Sequence, residues 1–168
     1  MGSGLRTSVK MEGLDGLRIA LRELPDRIQS KVLQDAVAKG AVVVRNEARA
    51  VALVDTGLLR RSIRSTRGKR RDSEASAFVS VRRLSKKRIA AFKQKQMKAG
   101  KKANSGLNPD DPYYWSILEF GKSTRTAHPF LRPAFNRRKE EAAKTIGDAI
   151  GKGVQVQAAK LYRETRGK

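Results

Sequence analysis

The spacing of apolar residues changes twice along this chain, and each spacing predicts a different element. Leu14, Leu17, Leu21 and Leu24 recur at helical intervals, which predicts a short amphipathic helix over residues 13–24. Pro25 stops it, because the residue before a proline is pushed out of the α region. Pro25 also suits the first turn of a following helix, with Asp26 favourable near its N-terminus. The stripe Ile28, Val32, Leu33, Ala36, Val37, Gly40, Val44, Ala48 and Val51 then predicts a long helix ending near residue 53. It should measure about 40 Å, and its small residues leave room for a neighbour to approach closely. Asp55-Thr56-Gly57 reads as a turn, with Asp55 placed to cap a helical turn over 58–61.

Beyond this turn the period becomes two. Residues 62–67 and 77–83 read as strands joined by a polar hairpin over 68–76, with Ala77, Val79 and Val81 on one face and Ser80 and Arg82 on the other. Residues 113–120 are apolar on both faces and read as a strand buried on both sides, ended by Gly121. Pro129 and Pro133 bracket Phe130 and Leu131 in a stiff connection that feeds a helix from Pro133 to about residue 150. Arg137–Glu141 and Glu140–Lys144 are expected to pair on its outer side. Gly147, Gly151 and Gly153 weaken its end, leaving 154–168 as a second helix or a tail. The predicted class is α+β: an antiparallel sheet of three or four strands packed against a long N-terminal and a C-terminal helix. One domain over 13–168 is expected, preceded by a loose arm at 1–12.

Charge adds a second theme. The formal net charge of the 168 residues is +22, and residues 60–102 hold seventeen Lys/Arg against two Asp/Glu. This local excess favours contact with a polyanion. Residues 84–112 form a basic insertion, rich in lysine and poor in apolar residues, although 85–99 has helical propensity. As an arm it would reach roughly 45 Å. Its candidate contacts to DNA or to a protein partner are Lys86, Lys87, Arg88, Lys93, Lys95 and Lys98, then Lys101 and Lys102. Arg70, Arg71, Arg82 and Arg83 join them from the flanking strands. Aromatics are sparse there, so phosphate contact is expected rather than base stacking.

Catalytic constellations are weak. The absence of cysteine removes disulfide and thiolate chemistry and suits a reducing cytosol. No apolar run approaches the ~20 residues needed to span a bilayer, and no signal peptide is expected. Val54-Asp55-Thr56-Gly57 matches the aspartic-protease triplet, but it follows a long helix rather than sitting on a β-rich scaffold. His128, the one histidine, could in principle serve a triad with Ser123 or Ser116 and Glu119, yet a loop residue is the simpler reading. Glu119, set in an apolar run, needs a partner, for which Arg132 or Arg125 is expected. Neither a metal nor a cofactor is indicated.

Several landmarks, taken in order, resemble a family of tailed-phage neck proteins: tail-completion or minor tail components of the minor tail protein Z type. They are Gly13-Leu14-Asp15-Gly16-Leu17 with Leu24-Pro25, then Val54-Asp55-Thr56-Gly57-Leu58-Leu59-Arg60-Arg61-Ser62-Ile63. The most specific are Leu118-Glu119-Phe120-Gly121 and Ala127-His128-Pro129-Phe130-Leu131-Arg132-Pro133-Ala134-Phe135. Leu53 and Lys122 depart from the family's common proline and threonine, and the basic insertion is longer than its usual link. The resemblance implies a non-enzymatic virion protein, made in the host cytoplasm. It would assemble as a homo-oligomeric ring, such as a hexamer, at the head–tail junction or the top of the tail. Its neighbours would be head-closure, tail-terminator and tail-tube proteins and packaged DNA, with no membrane. Asp55, Gly57, Trp115, Glu119, Phe120, Gly121, His128, Pro129, Phe130, Leu131 and Pro133 then carry structure or interface. The alternatives are a sequence-independent DNA-binding protein and, more remotely, a hydrolase using Asp55 or His128.

Overall fold

A computed structural model of the chain describes residues 15–22, 24–69, 74–100 and 108–166. The 1–12 arm therefore lies outside the described residues. In order, the elements are α1 (Asp15–Arg22), α2 (Asp26–Val51), α3 (Leu58–Ser62), β1 (Ile63–Arg67), β2 (Ala77–Val81), α4 (Lys86–Lys98), α5 (Trp115–Phe120) and α6 (Leu131–Arg166). The class is α+β. Among the described residues the sheet has two strands, not three or four. Backbone bonds from Arg82 N–H to Ser62 O (2.8 Å) and from Gly68 N–H to Ser76 O (2.7 Å) set an antiparallel register that places Ile63 opposite Val81.

The expected third strand is helix α5. Leu118 N–H donates to Tyr114 O at 3.1 Å and Gly121 N–H to Ile117 O at 2.8 Å. Pro112 before it and Gly121 after it, at φ +74°, are the punctuation of a short helix. Half-buried Tyr114, Trp115 and Leu118 and buried Glu119 fall on one helical face, and Phe120 is exposed. A run apolar on both sides of a strand pattern is equally apolar around a helix, so periodicity alone did not separate the two.

The chain divides into two compact units, each with its own core. The first draws on the described residues within 15–44, 65–78 and 136–166. Leu21, Leu24, Val32, Ala36 and Ile150 are its buried centre. Here α6 runs unbroken for 36 residues through all three glycines expected to weaken it. Packing explains this: a Cβ on Gly153 would stand 2.6 Å from Val32 Cγ1, and one on Gly151 3.5 Å from Leu17 Cδ2. The Gly151 spacing is ordinary van der Waals contact, whereas Gly153 is a site of close approach whose tertiary contact overrides its poor helix propensity. Gly40 does the same on α2, 2.6 Å from Ile146 Cγ1. Gln34 Nε2 donates to Ser76 O at 2.8 Å, and Arg67 pairs with Asp35 at 2.8 Å.

The second unit draws on residues 45–64 and 79–135. Ala48, Ala52, Leu59, Ile63, Val81, Phe130 and Ala134 form its core, with Trp115 and Leu118 packed against it. The Asp55 cap is not formed. Gly57 stands at the N-cap of α3 at φ 72° without a side-chain cap bond, and Thr56 Oγ1 instead accepts from Leu58 N–H at 3.4 Å. In the left-handed region glycine carries no Cβ penalty, so backbone geometry makes this turn.

Candidate nucleic-acid interface

Phe130 immediately precedes α6, and the free N–H groups of a helix's first turn need acceptors. Glu119 supplies them from α5. Its Oε2 accepts from Phe130 N–H (2.8 Å) and Leu131 N–H (2.9 Å), and its Oε1 from Arg132 N–H (3.2 Å). Pro133 has no N–H to satisfy, and Ala134 N–H reaches Phe130 O. The helix thus starts two residues before Pro133. Glu119 is a buried backbone cap and makes neither expected ion pair; Arg132 instead lies 5.5 Å over the Phe120 ring. No hydrogen bond joins Glu119 to His128, which is exposed and donates its backbone N–H to Leu118 O at 2.7 Å. Pro129 and Asp55 are exposed too. Among the described residues no group of His, Asp or Glu is arranged to hold a metal.

The basic insertion is a helix over much of its length. Ser85 caps α4, accepting from Arg88 N–H at 3.4 Å, and Gly100 follows its end at φ 72°. No residue of α4 is buried. Lys86, Lys87, Lys93, Lys95 and Lys98 are all exposed on it. Asp111 closes the insertion's base: its Oδ2 pairs with Arg83 at 2.7 Å and its Oδ1 accepts from Leu84 N–H at 3.1 Å. The bond from the Arg83 guanidinium holds the Asp111 carboxyl below the usual carboxylate range, against the opposing push of burial. Arg70, Arg71, Lys101 and Lys102 lie outside the described residues.

Beside Arg83 the second unit is concave and lined by arginine. A groove of about 650 Å³ is walled by Arg61, Arg64, Arg82, Arg83 and Arg88, with Asp110 as its acidic member. A second, of about 740 Å³, is walled by Arg49, Arg60, Arg61 and Arg64, with Asn46 and Ala50. Arg49 is fixed by two bonds from its guanidinium to Ile63 O (3.1 and 2.7 Å), and Arg60 Nε donates to Arg49 O at 2.7 Å. Burial, then the charges of Arg45 and Arg64, push the Arg49 pKa down. The structure therefore unites Arg82, Arg83 and Arg88 with arginines the sequence reading passed over. Arg49 stands near the end of α2, Arg60 and Arg61 on α3 and Arg64 on β1; the last three open the basic stretch 60–102, but its lysine-rich insertion drew the candidate contacts away from them.

A family model described as "Bacteriophage HK97-gp10, putative tail-component" matches residues 15–121. The chain belongs to this family. The match takes in both arginine-lined grooves, α4 and α5, and stops before the Phe130 corner. No curated protein and no solved structure matches the chain. As a member of a phage tail-component family it is a virion protein whose partners are other tail proteins. None of its described helices is long and apolar enough to cross a membrane.

Proposed function

We propose that the protein is a structural, non-enzymatic subunit that closes into a ring at the head–tail junction or the top of the tail, completing the tail and joining it to the head. Membership of the tail-component family carries this reading. A ring needs two different patches that meet between like copies. Phe130 and the stripe of α2 are poor candidates, because Phe130 and Ala48 are buried in the core of the second unit and Val32 and Ala36 in that of the first. Leu53, Val54 and Phe120, each more than half exposed in the second unit, are better ones. The lysine-bearing surface of α4 is assigned to an acidic face of an adjacent ring.

Native mass spectrometry of the purified protein, alone and with duplex DNA, tests the ring, and imaging of the assembled particle tests its place. One closed stoichiometry and a density at the neck are expected. A monomer under every condition, or particles that join heads to tails without it, would sink the reading. A free-standing DNA-binding protein would be missing from the particle altogether.

A further inference from the structure

We infer that the two arginine-lined grooves of the second unit form one continuous binding surface for the sugar–phosphate backbone of duplex DNA, without sequence preference. The inference rests on the proposed particle role only for the source of the DNA; the binding itself belongs to the isolated protein.

Continuity comes first. Arg61 and Arg64 wall both grooves, so an anion running along one passes into the other. An extended anion fits such a surface better than a single phosphate does. Duplex DNA offers one charge per about 1.7 Å of its axis.

Side-chain chemistry comes second. Every cation in the two linings is arginine, whereas the exposed cations along α4 are mostly lysine. The planar guanidinium presents a rigid fork that meets phosphate oxygens in pairs, and it sheds water more readily than an ammonium does. Arg61, Arg64, Arg82 and Arg88 have no carboxylate partner among the described residues, while Arg83 is committed to Asp111. Arg49 and Arg60 are held in place by their bonds to backbone carbonyls, which pre-orders the floor of the second groove. Gathering like charges opposes folding, and a bound polyanion relieves that repulsion.

What the grooves lack decides the mode. No aromatic side chain lines either one, so there is no platform on which an exposed base could stack. The surface suits the outside of a duplex, where backbone contacts position without reading sequence. An acidic protein surface carries sparser charge and would leave most of these forks half used.

The test measures binding of the full-length protein to a short random-sequence duplex by fluorescence anisotropy across a salt series. The groove variant is Arg61→Gln/Arg64→Gln/Arg88→Gln, and the control, of equal charge change, is Lys93→Gln/Lys95→Gln/Lys98→Gln on α4. Each lost phosphate contact lowers the log–log salt slope by about 0.9. The groove variant should therefore lose about 2–3 in slope, and the lysine control less than one. The corresponding Arg→Lys triple should keep most of the slope while binding more weakly. Should the groove triple fail to fold, Arg88→Gln alone, on the solvated first turn of α4, should lower the slope by about 0.9. Equal losses in both triples, or loss only in the lysine variant, overturns the assignment. So does a wild-type protein that ignores duplex and binds polyglutamate. Native mass spectrometry of the same samples reads the ring separately: rings that persist while the groove variant binds DNA normally refute this inference alone.

Discussion

Removing Glu119 is the sharpest perturbation of this fold, because one carboxylate serves the whole free end of a 36-residue helix. Glu119→Ala leaves three backbone donors, on Phe130, Leu131 and Arg132, without their acceptor. Loss of an ordinary N-cap costs about 1 kcal/mol and up to about 2, and a hydrogen bond to a charged group contributes about 1.5–3. The three bonds share two oxygens and are not additive, and the Arg132 side of the turn is open enough for water to replace one of them. The expected cost is about 3 kcal/mol, which for a chain of this size lowers the melting temperature by about 6–12 °C. Glu119→Gln keeps one acceptor oxygen but turns an amide N–H₂ toward a donor, so its cost should fall between wild type and Ala. The competing account, an ion pair, predicts that Arg132→Ala or Arg125→Ala costs as much. In the structure Arg132 loses only its stacking on Phe120, worth about 0.5–1 kcal/mol, and Arg125→Ala should be near neutral. Urea unfolding of the four variants decides. A Glu119→Ala cost under about 1 kcal/mol, or an arginine variant that matches it, refutes the cap.

Asp111 should make the base of the insertion acid-sensitive. Its folded pKa is depressed, chiefly by the bond from Arg83. Its contribution is therefore complete above the unfolded aspartate value of about 3.9 and is lost as pH falls through the lower folded value. Asp111→Asn should lower stability at pH 7 and flatten the acid limb of a stability–pH curve; parallel limbs would show that the clasp contributes nothing. Gly40→Ala should destabilise by about 1 kcal/mol, since crowding against Ile146 and the backbone oxygen of Ala142 outweighs the gain in helix propensity. Gly16→Ala, with nothing within 4 Å, should instead gain about 0.5 kcal/mol, so thermal melts of the pair must move in opposite directions. Phe130→Ala should cost about 3–5 kcal/mol, measured in the same way, because the side chain is only 2 % exposed.

Where the sequence was legible, one periodicity had one physical meaning. The stripe on α2 reappears as buried Val32, Ala36, Gly40, Val44 and Ala48, and the alternation in β2 reappears with Val81 inside and Ser80 outside. The segment from Tyr113 to Phe120 had two meanings, because six to eight residues apolar on every side satisfy a strand and a short helix alike. Its decider is long-range: as a helix, α5 turns Glu119 toward the donors of residues 130–132. The partner of Glu119 was misjudged for a related reason. Side-chain charge is visible in a sequence, whereas unsatisfied backbone N–H groups become visible only once a helix end has been located in space. Propensity alone marks the glycines of α6 as weaknesses, and only its neighbour Val32 shows that at Gly153 a side chain would crowd the core.

The same distinction governs the charge. Lysines crowded into the basic insertion announce themselves by density, and density selects for solvation: along α4 they are exposed and no residue is buried. The arginines of the grooves are separated by up to 39 positions, from Arg49 to Arg88, and alternate with core residues such as Leu59 and Ile63 that fold them together. Charges of one sign gathered on a concave surface focus their field and act more strongly on an anion than the same charges spread along an arm. The net charge of +22 alone marks no place on the chain, and on the inference above it is the core of the second unit that determines where a polyanion would lie. The strongest electrostatic surface on such a protein is expected where apolar residues force distant arginines into one concavity, and the longest local run of lysine is a poor guide to it.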